Sequence, residues 1–439
     1  MFGVLTQIQS ASAEQISHSR RDPFIFSSPC IRYYSKPTTR RRVRDFGSSI
    51  SYFQLQTGII SITAHMEVAC KAEEAHDEVG AAGFLSVDVQ SHPDGGKYYG
   101  GDTLTVIKAT APGRCGIVGN PTDMYGGSVI SCTTAERAEC VLTETGRPFQ
   151  LINGDEEAMV HTVEDLKLRG DKLDIARAVL QFFELDASAG GFRLELSTQI
   201  PMRAGVSGST AMIATLVGAL YRLLHVEASP YTIAETMRKI EARIMGVTCG
   251  FQDQHMAVFG GLNYMDFAGK EMLQQRDDEP LATVEPLAAL VGQVPLLLAH
   301  TGIQHHSGTV HKTPRERWLA GEGLVRAHYT RIAELARAGK RALLRRDWNR
   351  LGALMNENHQ LVAELGGSGP ANDRLIEAAR AAGAYGAKLA GAGGGGTILA
   401  LTADPAGVGK ALMDAGAERL LTPIPSPGLT VTIECEERR

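Results

Sequence analysis

The chain has 439 residues, of which 44% are hydrophobic and 21% charged, and this is typical of a globular protein with room for two domains and a sizeable core. Its formal net charge of -5 gives no indication of a nucleic-acid partner or of an anionic membrane surface. No run of about 18 uncharged apolar residues occurs, so we expect no membrane-spanning helix. The seven cysteines form no CxxC pair and have no metal-ligand spacing, which favours free thiols and a cytoplasmic protein.

Residues 1–65 differ in composition from the rest of the chain. They contain eight Lys or Arg against three Asp or Glu, they are rich in Ser, and they include a basic run at residues 40–44. An organelle transit peptide has this composition. A disordered extension, or translated sequence upstream of a true start near Met66, explains the segment as well and is the favoured hypothesis.

The predicted elements mix helices and strands without a regular βαβ repeat, which favours an α+β protein in two parts. Strands are expected at 103–110, 128–134, 138–143, 192–200, 262–267, 294–299, 386–389, 397–402 and 429–435. Helices are expected at 174–184, at 209–224, from Pro230 onward, through 315–364, at 375–382 and at 408–420, with a loop at 273–285. The helix at 209–224 is apolar nearly all round, so it is expected to be buried.

Three glycine-rich segments occur in a fixed order along the chain. The first, at residues 112–123, begins with Pro-Gly-Arg and ends with Gly-Asn-Pro-Thr-Asp. The second, Gly-Val-Ser-Gly-Ser-Thr-Ala at 205–211, runs straight into the apolar helix, where converging backbone N–H groups suit a phosphate. An ordinary Ser/Gly N-cap is the alternative for this segment, and taken alone it leaves both open.

The third segment, at residues 391–396, formally fits the GxGxxG pattern. A dinucleotide-binding fingerprint needs a helix after it, whereas a strand is expected here, so that class is not favoured. Since five glycines in six positions cost folding entropy, a close approach to another group is more probable than a loose turn. The sequence contains no GxxxxGK[ST] motif, which excludes the P-loop proteins.

Asp253 lies between two glutamines just after a Cys-Gly turn, in a position where a lone Asp is commonly a turn or cap residue. Together with the phosphate cradle, a hydroxyl and a basic residue, it indicates ATP-dependent phosphoryl transfer to a small molecule. His305, His306 and His311 suggest a metal site at first, but no fourth zinc ligand is evident. They are more typical of surface or substrate-facing residues.

In this order, the three segments resemble the motifs of the GHMP small-molecule kinases, namely PGR-x-x-x-x-G-E-H-T-D, G-L-x-S-S-A and G-A-G-G-G. The resemblance covers residues 103–435. The segments GNPTD at 119–123, GFQDQ at 250–254, FGGLNYMDF at 259–267 and SGTVHKTPRERWL at 307–319 are most similar to the glucuronokinase branch of that family. Bacterial heptose-phosphate kinases share some of these segments and are the near alternative.

The resemblance implies a two-domain α+β GHMP kinase fold with the active site in the cleft between the domains. It implies an ATP-binding domain like ribosomal protein S5 domain 2 at residues 66–290 and a ferredoxin-like domain at 291–439. ATP and Mg²⁺ are the implied cofactors. The implied partner is a small sugar, with no nucleic acid and no membrane, for a monomer or homodimer.

The resemblance also assigns roles to particular residues. Asp253 and Arg114 take the catalytic positions, and Ser209 and Glu241 take those linked to Mg²⁺. The implied ATP-phosphate residues are Arg203, Ala204, Gly205, Val206, Ser207, Gly208, Ser209 and Thr210. The implied substrate-binding residues are Asn120, Asp123, Tyr125, Gly393 and Gly394.

One departure from the family pattern bears on the substrate, because Asn120-Pro121 replaces the usual Glu-His. A buried Glu beside a substrate carboxylate would place like charges in a low dielectric, whereas Asn avoids that repulsion. We therefore expect transfer from ATP to the anomeric hydroxyl of D-glucuronate or a related sugar acid. A heptose-phosphate kinase and a non-catalytic ATP and sugar sensor remain alternatives. The candidate cations for the carboxylate are His305, His306, Lys312, Arg315 and Arg203.

Overall fold

The computed structural model describes residues 103–145, 148–185, 191–270, 279–303, 307–391 and 396–437, and all of them lie in one compact unit. The expectations for residues 1–65 and for Gly393, Gly394, His305 and His306 concern residues outside these ranges. The side chains of His311 and Lys312 also lie outside the described part.

Twelve strands in the described part of the chain form two sheets. Their bounds are β1 Thr103–Val118, β2 Ser128–Glu144, β3 Phe149–Asn153, β4 Glu156–Val160, β5 Phe192–Thr198, β6 Leu262–Asp266, β7 Thr283–Pro286, β8 Leu296–His300, β9 Gly386–Leu389, β10 Thr397–Leu401, β11 Arg419–Leu421 and β12 Thr430–Glu437. The larger sheet has the order β12-β1-β2-β5-β3-β4, and β6 and β7 extend it beside the first part of β2. The smaller sheet has the order β11-β8-β10-β9.

Ten α-helices in the described ranges cover the two sheets. Their bounds are α1 Asp174–Phe182, α2 Gly208–Leu223, α3 Pro230–Lys239, α4 Gln252–Phe259, α5 Ala288–Val291, α6 Ser307–Leu319, α7 Gly323–Leu344, α8 Trp348–Glu364, α9 Pro370–Ala381 and α10 Pro405–Asp414. A π-helical turn, Ile240–Ile244, follows α3 directly. The predicted start of α3 is confirmed, because the Ser229 side chain accepts a hydrogen bond from the Thr232 amide and Pro230 occupies the first helical position.

The prediction that the chain is helical from Arg315 to about Glu364 is confirmed, although the helical region begins earlier and is divided. Three helices are present, and left-handed residues separate them: Gly321, with φ 78, lies between α6 and α7, and Arg346, with φ 53, lies between α7 and α8. In the same way, the helix expected at 408–420 ends at Asp414, and Gly416 (φ 97) leads the chain into β11. A left-handed residue cannot continue a right-handed helix, so each one ends the regular segment.

Two expected strands, at 128–134 and 138–143, are one strand, β2, because β1 runs beside both parts of it. The loop expected at 273–285 is partly wrong as well, since β7 begins at Thr283 and pairs with β6. The β-branched residues Thr283 and Val284 suit that edge position.

The strand that positions the site is β1, which is interrupted by two irregularities in its pairing with β2. The register shifts between Pro112 and Arg114 and again between Gly116 and Val118. Such bulges bend a strand and redirect its side chains. They lie on either side of Cys115, so the Pro-Gly-Arg segment is directed differently from the first half of the strand.

Buried apolar residues pack around β1 in two clusters. As predicted, α2 is buried along most of its length, and it packs against β1 and β2 in the largest core cluster. A second cluster joins the end of β1, through Cys115 and Ile117, to α7, α8 and β10. The middle of β1 therefore lies where two cores meet. None of the helices in the described ranges is long and apolar enough to cross a bilayer.

Candidate active site

The three glycine-rich segments, which are far apart in the sequence, meet at β1. The Arg114 amide donates to the Val206 carbonyl oxygen at 3.1 Å, and the Gly116 amide donates to the Ala390 carbonyl oxygen at 3.0 Å. A Cβ atom on Gly391 would lie 2.4 Å from the Gly205 carbonyl oxygen, so only glycine allows this approach. The expectation of a close approach at the third segment is confirmed at Gly391.

Arg114 and Asp253 form a two-point ion pair at this junction. Arg114 Nε donates to Asp253 Oδ1 at 2.7 Å, and Nη2 donates to Oδ2 at 2.9 Å. The remaining guanidinium nitrogen, Nη1, donates to the Gly205 carbonyl oxygen at 2.7 Å and to that of Ala390 at 3.3 Å. The arginine therefore ties the first turn of α4 to the second and third glycine segments.

The two members of the pair differ in exposure. The side chain of Arg114 is 7% exposed, whereas that of Asp253 is 29% exposed and so still reaches the solvent side of the junction. Burial by itself would lower the pKa of Arg114, but the charges of Asp253 and Asp123 outweigh it, and the pKa is raised. The arginine stays charged, and an accessible carboxylate edge with a fixed cationic partner is a suitable place for proton transfer.

Asp123 is brought to the same place by the turn Thr122–Tyr125. It is 3% exposed, and its Oδ2 accepts hydrogen bonds from the amides of Phe251, at 2.8 Å, and Gln252, at 3.1 Å. These amides begin α4, so the carboxylate acts as the cap of that helix. Burial raises the pKa of Asp123, although the Gln252 amide opposes the shift. In this structure Asp123 positions the helix that carries Asp253.

Glu241 lies in the π-helical turn and is 5% exposed. Its Oε1 accepts a hydrogen bond from Thr210 Oγ1 at 2.7 Å, and its Oε2 accepts one from the side-chain nitrogen Nε2 of Gln254. Burial raises the pKa of Glu241, and the bond from Thr210 opposes this shift. The carboxylate thus connects the first turn of α2 with α4.

The N-terminus of α2 has no side-chain cap. Ser207 at the cap position has φ 62 and makes no capping bond, and its buried hydroxyl oxygen has no hydrogen-bond partner among the described residues. Val206 is buried, Ser209 is half-buried and Arg203 is exposed. No capping side chain satisfies the amides of the first helical turn, and the dipole of this 16-residue helix favours an anion there.

The residues near Glu241 offer hard oxygen donors of the kind that Mg²⁺ prefers. They are the Glu241 carboxylate and the buried Gln254 side-chain amide oxygen, which has no hydrogen-bond partner among the described residues. The Ser209 hydroxyl is a third candidate, because Ser209 directly precedes Thr210, which binds Glu241. No group of three or more His, Cys, Asp or Glu that could hold a metal occurs in the described part. Such a donor set fits an ion that takes its other ligands from water and nucleotide phosphates, as Mg²⁺ usually does.

Asn120 lies close to the junction, but its side chain is already engaged. It is 2% exposed, its Oδ1 accepts a hydrogen bond from Lys388 Nζ at 2.7 Å, and its Nδ2 donates to the Gly391 carbonyl oxygen at 3.4 Å. Lys388, in β9, is 1% exposed and donates also to the carbonyl oxygens of Gly116, at 3.1 Å, and Leu389. No motif in the sequence pointed to this lysine. The available signal was a lysine inside a short apolar strand directly before the third glycine segment.

Tyr125 packs into an aromatic cluster formed with Trp318 of α6 and Tyr329 of α7. The ring of Tyr125 stacks on Tyr329 with a centroid distance of 4.3 Å and lies 4.6 Å from that of Trp318. The cluster begins two residues after Asp123, so α6 and α7 border the same site. Of the residues expected to bind substrate, Asn120, Asp123 and Tyr125 are thus brought near one another, while Gly393 and Gly394 lie outside the described residues.

Comparisons with known proteins agree with this geometry. Two family models match the chain, the GHMP kinases N terminal domain at residues 174–261 and GHMP kinases C terminal at 340–416. Probable glucuronokinase 2 of Arabidopsis thaliana is 29% identical over 307 residues, which cover 64% of this chain and 81% of that protein. A mevalonate kinase of Thermococcus onnurineus is 30% identical over 254 residues, which cover 56% of this chain and 71% of that protein.

A solved structure extends the likeness to the fold. The crystal structure of Lactococcus lactis galactokinase complexed with galactose matches with a TM-score of 0.61 at 19% identity, and the match covers 74% of this chain and 95% of that one. The chain belongs to the GHMP kinases, phosphotransferases with an alcohol group as acceptor. The predicted α+β GHMP kinase fold is confirmed.

Proposed function

We propose that this protein uses ATP and Mg²⁺ to phosphorylate D-glucuronate, or a related sugar acid, at the anomeric hydroxyl. The observation that carries the proposal is the Arg114–Asp253 ion pair, held at the point where all three glycine segments meet. Beside it, the uncapped start of α2 provides an anion site.

The triphosphate would lie on the segment that leads into α2. The backbone amides at the start of that helix would bind phosphate oxygens, as they bind anions elsewhere. The residues proposed for this segment are Arg203, Ala204, Gly205, Val206, Ser207, Gly208, Ser209 and Thr210. Mg²⁺ would be held from the side of Ser209 and Glu241, where it neutralises charge that develops on the transferred group.

Asp253 is the proposed acceptor of the proton from the sugar hydroxyl, or the group that orients that hydroxyl. As the proton moves to the carboxylate, the sugar oxygen forms its bond to the terminal phosphorus of ATP, and the bond from that phosphorus to ADP breaks. Arg114, which donates two hydrogen bonds to Asp253, orients the carboxylate and stabilises negative charge during the transfer.

The choice of a sugar acid rests on the similarity to a glucuronokinase and on the environment of Asn120. With Asn instead of Glu at this position, the hydrogen-bond partners of the buried Lys388 among the described residues are all neutral oxygen atoms. An acidic substrate meets a positive potential there, which favours its binding. Monomeric or dimeric assembly and a cytoplasmic location remain predictions, the latter from the free cysteines.

A second candidate substrate is mevalonate, because the relative at 30% identity is a mevalonate kinase. A coupled ADP-release assay tests both, with Mg-ATP and a panel of glucuronate, galacturonate, galactose, mevalonate and a heptose 7-phosphate. Selective turnover of glucuronate is the expected result. Turnover of mevalonate, a neutral sugar or the heptose phosphate alone would keep the kinase and reject the sugar acid. ATP binding without turnover of any of them would favour a sensor.

A further inference from the structure

Arg315 lies on the face of α6 that borders the site. Trp318 follows it by three residues, so the two side chains share one face of the helix. Through Trp318 that face packs against Tyr125, with ring centroids 4.6 Å apart. Pro314, the residue before Arg315, is buried, which keeps this part of α6 against the body of the protein.

One nitrogen of the Arg315 guanidinium, Nε, is buried without a hydrogen-bond partner in the described part of the chain. Arg317, two residues further along the same helix, differs, because its Nε donates to Glu322 at 2.7 Å and its Nη2 donates to the same carboxylate. An unpartnered buried donor on a cation is costly unless a ligand supplies the acceptor.

Arg315 acts electrostatically on Tyr125, which follows Asp123 by two residues. Burial raises the pKa of Tyr125, the nearby charge of Asp123 raises it further, and the charge of Arg315 opposes the shift, so both charges act on this phenol. The Tyr125 hydroxyl is buried and has no hydrogen-bond partner among the described residues, although Tyr329 lies close enough to raise its pKa. Two polar atoms without a hydrogen-bond partner among the described residues, the Tyr125 hydroxyl oxygen and Arg315 Nε, thus lie on elements that border the site.

We propose that Arg315, together with the Tyr125 hydroxyl, binds the anionic group of the sugar substrate and so determines its specificity. The planar guanidinium presents donors that match a carboxylate, and the phenol adds a neutral donor. The inference rests on the proposed function, and it assigns the carboxylate of the sugar acid to a particular side chain. The phosphate of a sugar phosphate has related chemistry and is the other possible source of the anion.

The test compares Arg315→Gln with Arg317→Gln, a matched control on the same helix whose side chain is already paired. In Arg315→Gln we expect kcat/KM for glucuronate to fall by about 100-fold, mainly through KM, because truncating one partner of a desolvated charge pair has an effect of this size. Binding of Mg-ATP is expected to be unchanged. Arg317→Gln is expected to stay within about twofold of the wild type, as exposed ion pairs contribute little. Tyr125→Phe should also raise KM for glucuronate.

Calorimetric binding of glucuronate and of glucose to the same variants separates loss of the anion contact from general damage. Arg315→Gln is expected to lose affinity for glucuronate alone, and Arg315→Lys to recover part of it. Equal losses for the acid and the neutral sugar, or equal losses in both Gln variants, would overturn the assignment. If the wild type accepts a heptose 7-phosphate or mevalonate instead, the proposed sugar acid is rejected, and a selective effect of Arg315→Gln on that anion upholds the assignment. A wild type that accepts only neutral sugars would overturn both.

Discussion

The Lys388 amine is buried in the core, and its hydrogen-bond partners in the described part of the chain are neutral oxygen atoms. Burial lowers its pKa from 10.5 to about 7, with a nearby arginine, Arg114, adding to the shift and Cys115 opposing it. The sequence predicts the strand Gly386–Leu389 but not this environment, since a lysine in a short apolar strand is equally compatible with an edge position. The partners of Lys388, at Gly116 and Asn120, come from a segment roughly 270 residues earlier, which no local pattern indicates.

Replacing Lys388 by Met should change how stability depends on pH. Below pH 7 the wild-type lysine is charged in both the folded and unfolded states, so folding carries the full cost of burying the charge. Between about 7 and 10.5 the unfolded state binds more protons than the folded state, so wild-type stability rises with pH. Thermal unfolding of both proteins from pH 6.5 to 10 measures this.

The wild type is expected to gain stability relative to Lys388→Met as pH rises across that window. Two neighbouring groups do not titrate in the folded protein there, since burial raises the pKa of Cys115 to about 12 and lowers that of His359 to about 4. Their titration in the unfolded state is common to both proteins and cancels in the comparison. A difference in melting temperature that stays constant over the whole range would contradict the account.

A second prediction for a single residue concerns Thr210, which donates a hydrogen bond to Glu241. Thr210→Val removes the donor that opposes the burial-induced rise of the Glu241 pKa, so more of the carboxylate is protonated at neutral pH. We expect the Mg²⁺ concentration for half-maximal activity to rise about tenfold, which is typical when a group that orients a metal ligand is lost. The effect should shrink as pH increases and the carboxylate ionises.

The control for Thr210→Val is Thr215→Val, on the same helix. Thr215 is also buried, but its hydroxyl donates to the Met212 carbonyl oxygen at 2.8 Å and not to Glu241. This variant should keep the Mg²⁺ dependence of the wild type. An equal shift in both variants, or none in Thr210→Val, would count against a role for Glu241 in holding Mg²⁺.

At the scale of elements, α4 begins where it does because Asp123 caps it and Gly250 makes room for that carboxylate. A Cβ atom on Gly250 would lie 1.9 Å from Asp123 Oδ2. The sequence shows the Cys-Gly turn and the adjacent Asp253, but the cap comes from a residue more than a hundred positions earlier. This explains why local patterns predict strands and helices such as β5 and α2 well and leave the start of α4 undetermined.

Gly250→Ala should therefore lower both stability and activity. The added methyl group displaces the Asp123 carboxylate, which loosens the first turn of α4 and moves Asp253 away from Arg114. The expected loss of stability is about 1–3 kcal/mol, the usual range for overpacking a buried site, and turnover should fall even at temperatures where the variant is folded. Chemical unfolding and steady-state kinetics measure the two effects.

The matched control is Gly323→Ala at the start of α7. A Cβ atom on Gly323 would meet nothing within 4 Å, so the substitution should be neutral or slightly stabilising. If Gly250→Ala were as stable and as active as this control, the proposed link between Gly250, Asp123 and the position of α4 would be wrong.

For the whole molecule, the three glycine segments and their order are the sequence feature with the greatest predictive value. Their resemblance to the GHMP kinases gives the fold, and the structure brings Arg114, Asp253, Glu241 and the start of α2 together, with Asn120 and Asp123 nearby. The sequence does not indicate that Asn120 and Asp123 are held by Lys388 and by the start of α4, because these are contacts between distant segments. The proposed binding of the substrate anion by Arg315 and the Tyr125 hydroxyl likewise depends on how α6 packs.

The measurement that tests the central claim most directly is the rate of phosphoryl transfer to glucuronate by Asp253→Asn, measured in a single turnover with Mg-ATP bound. The wild type is expected to transfer the phosphoryl group, and the variant to be slower by at least about 100-fold, the lower range for loss of a general base. Its affinity for ATP and its circular dichroism should match the wild type. Transfer by a folded Asp253→Asn at nearly the wild-type rate would contradict the placement of the catalytic centre at the Arg114–Asp253 pair.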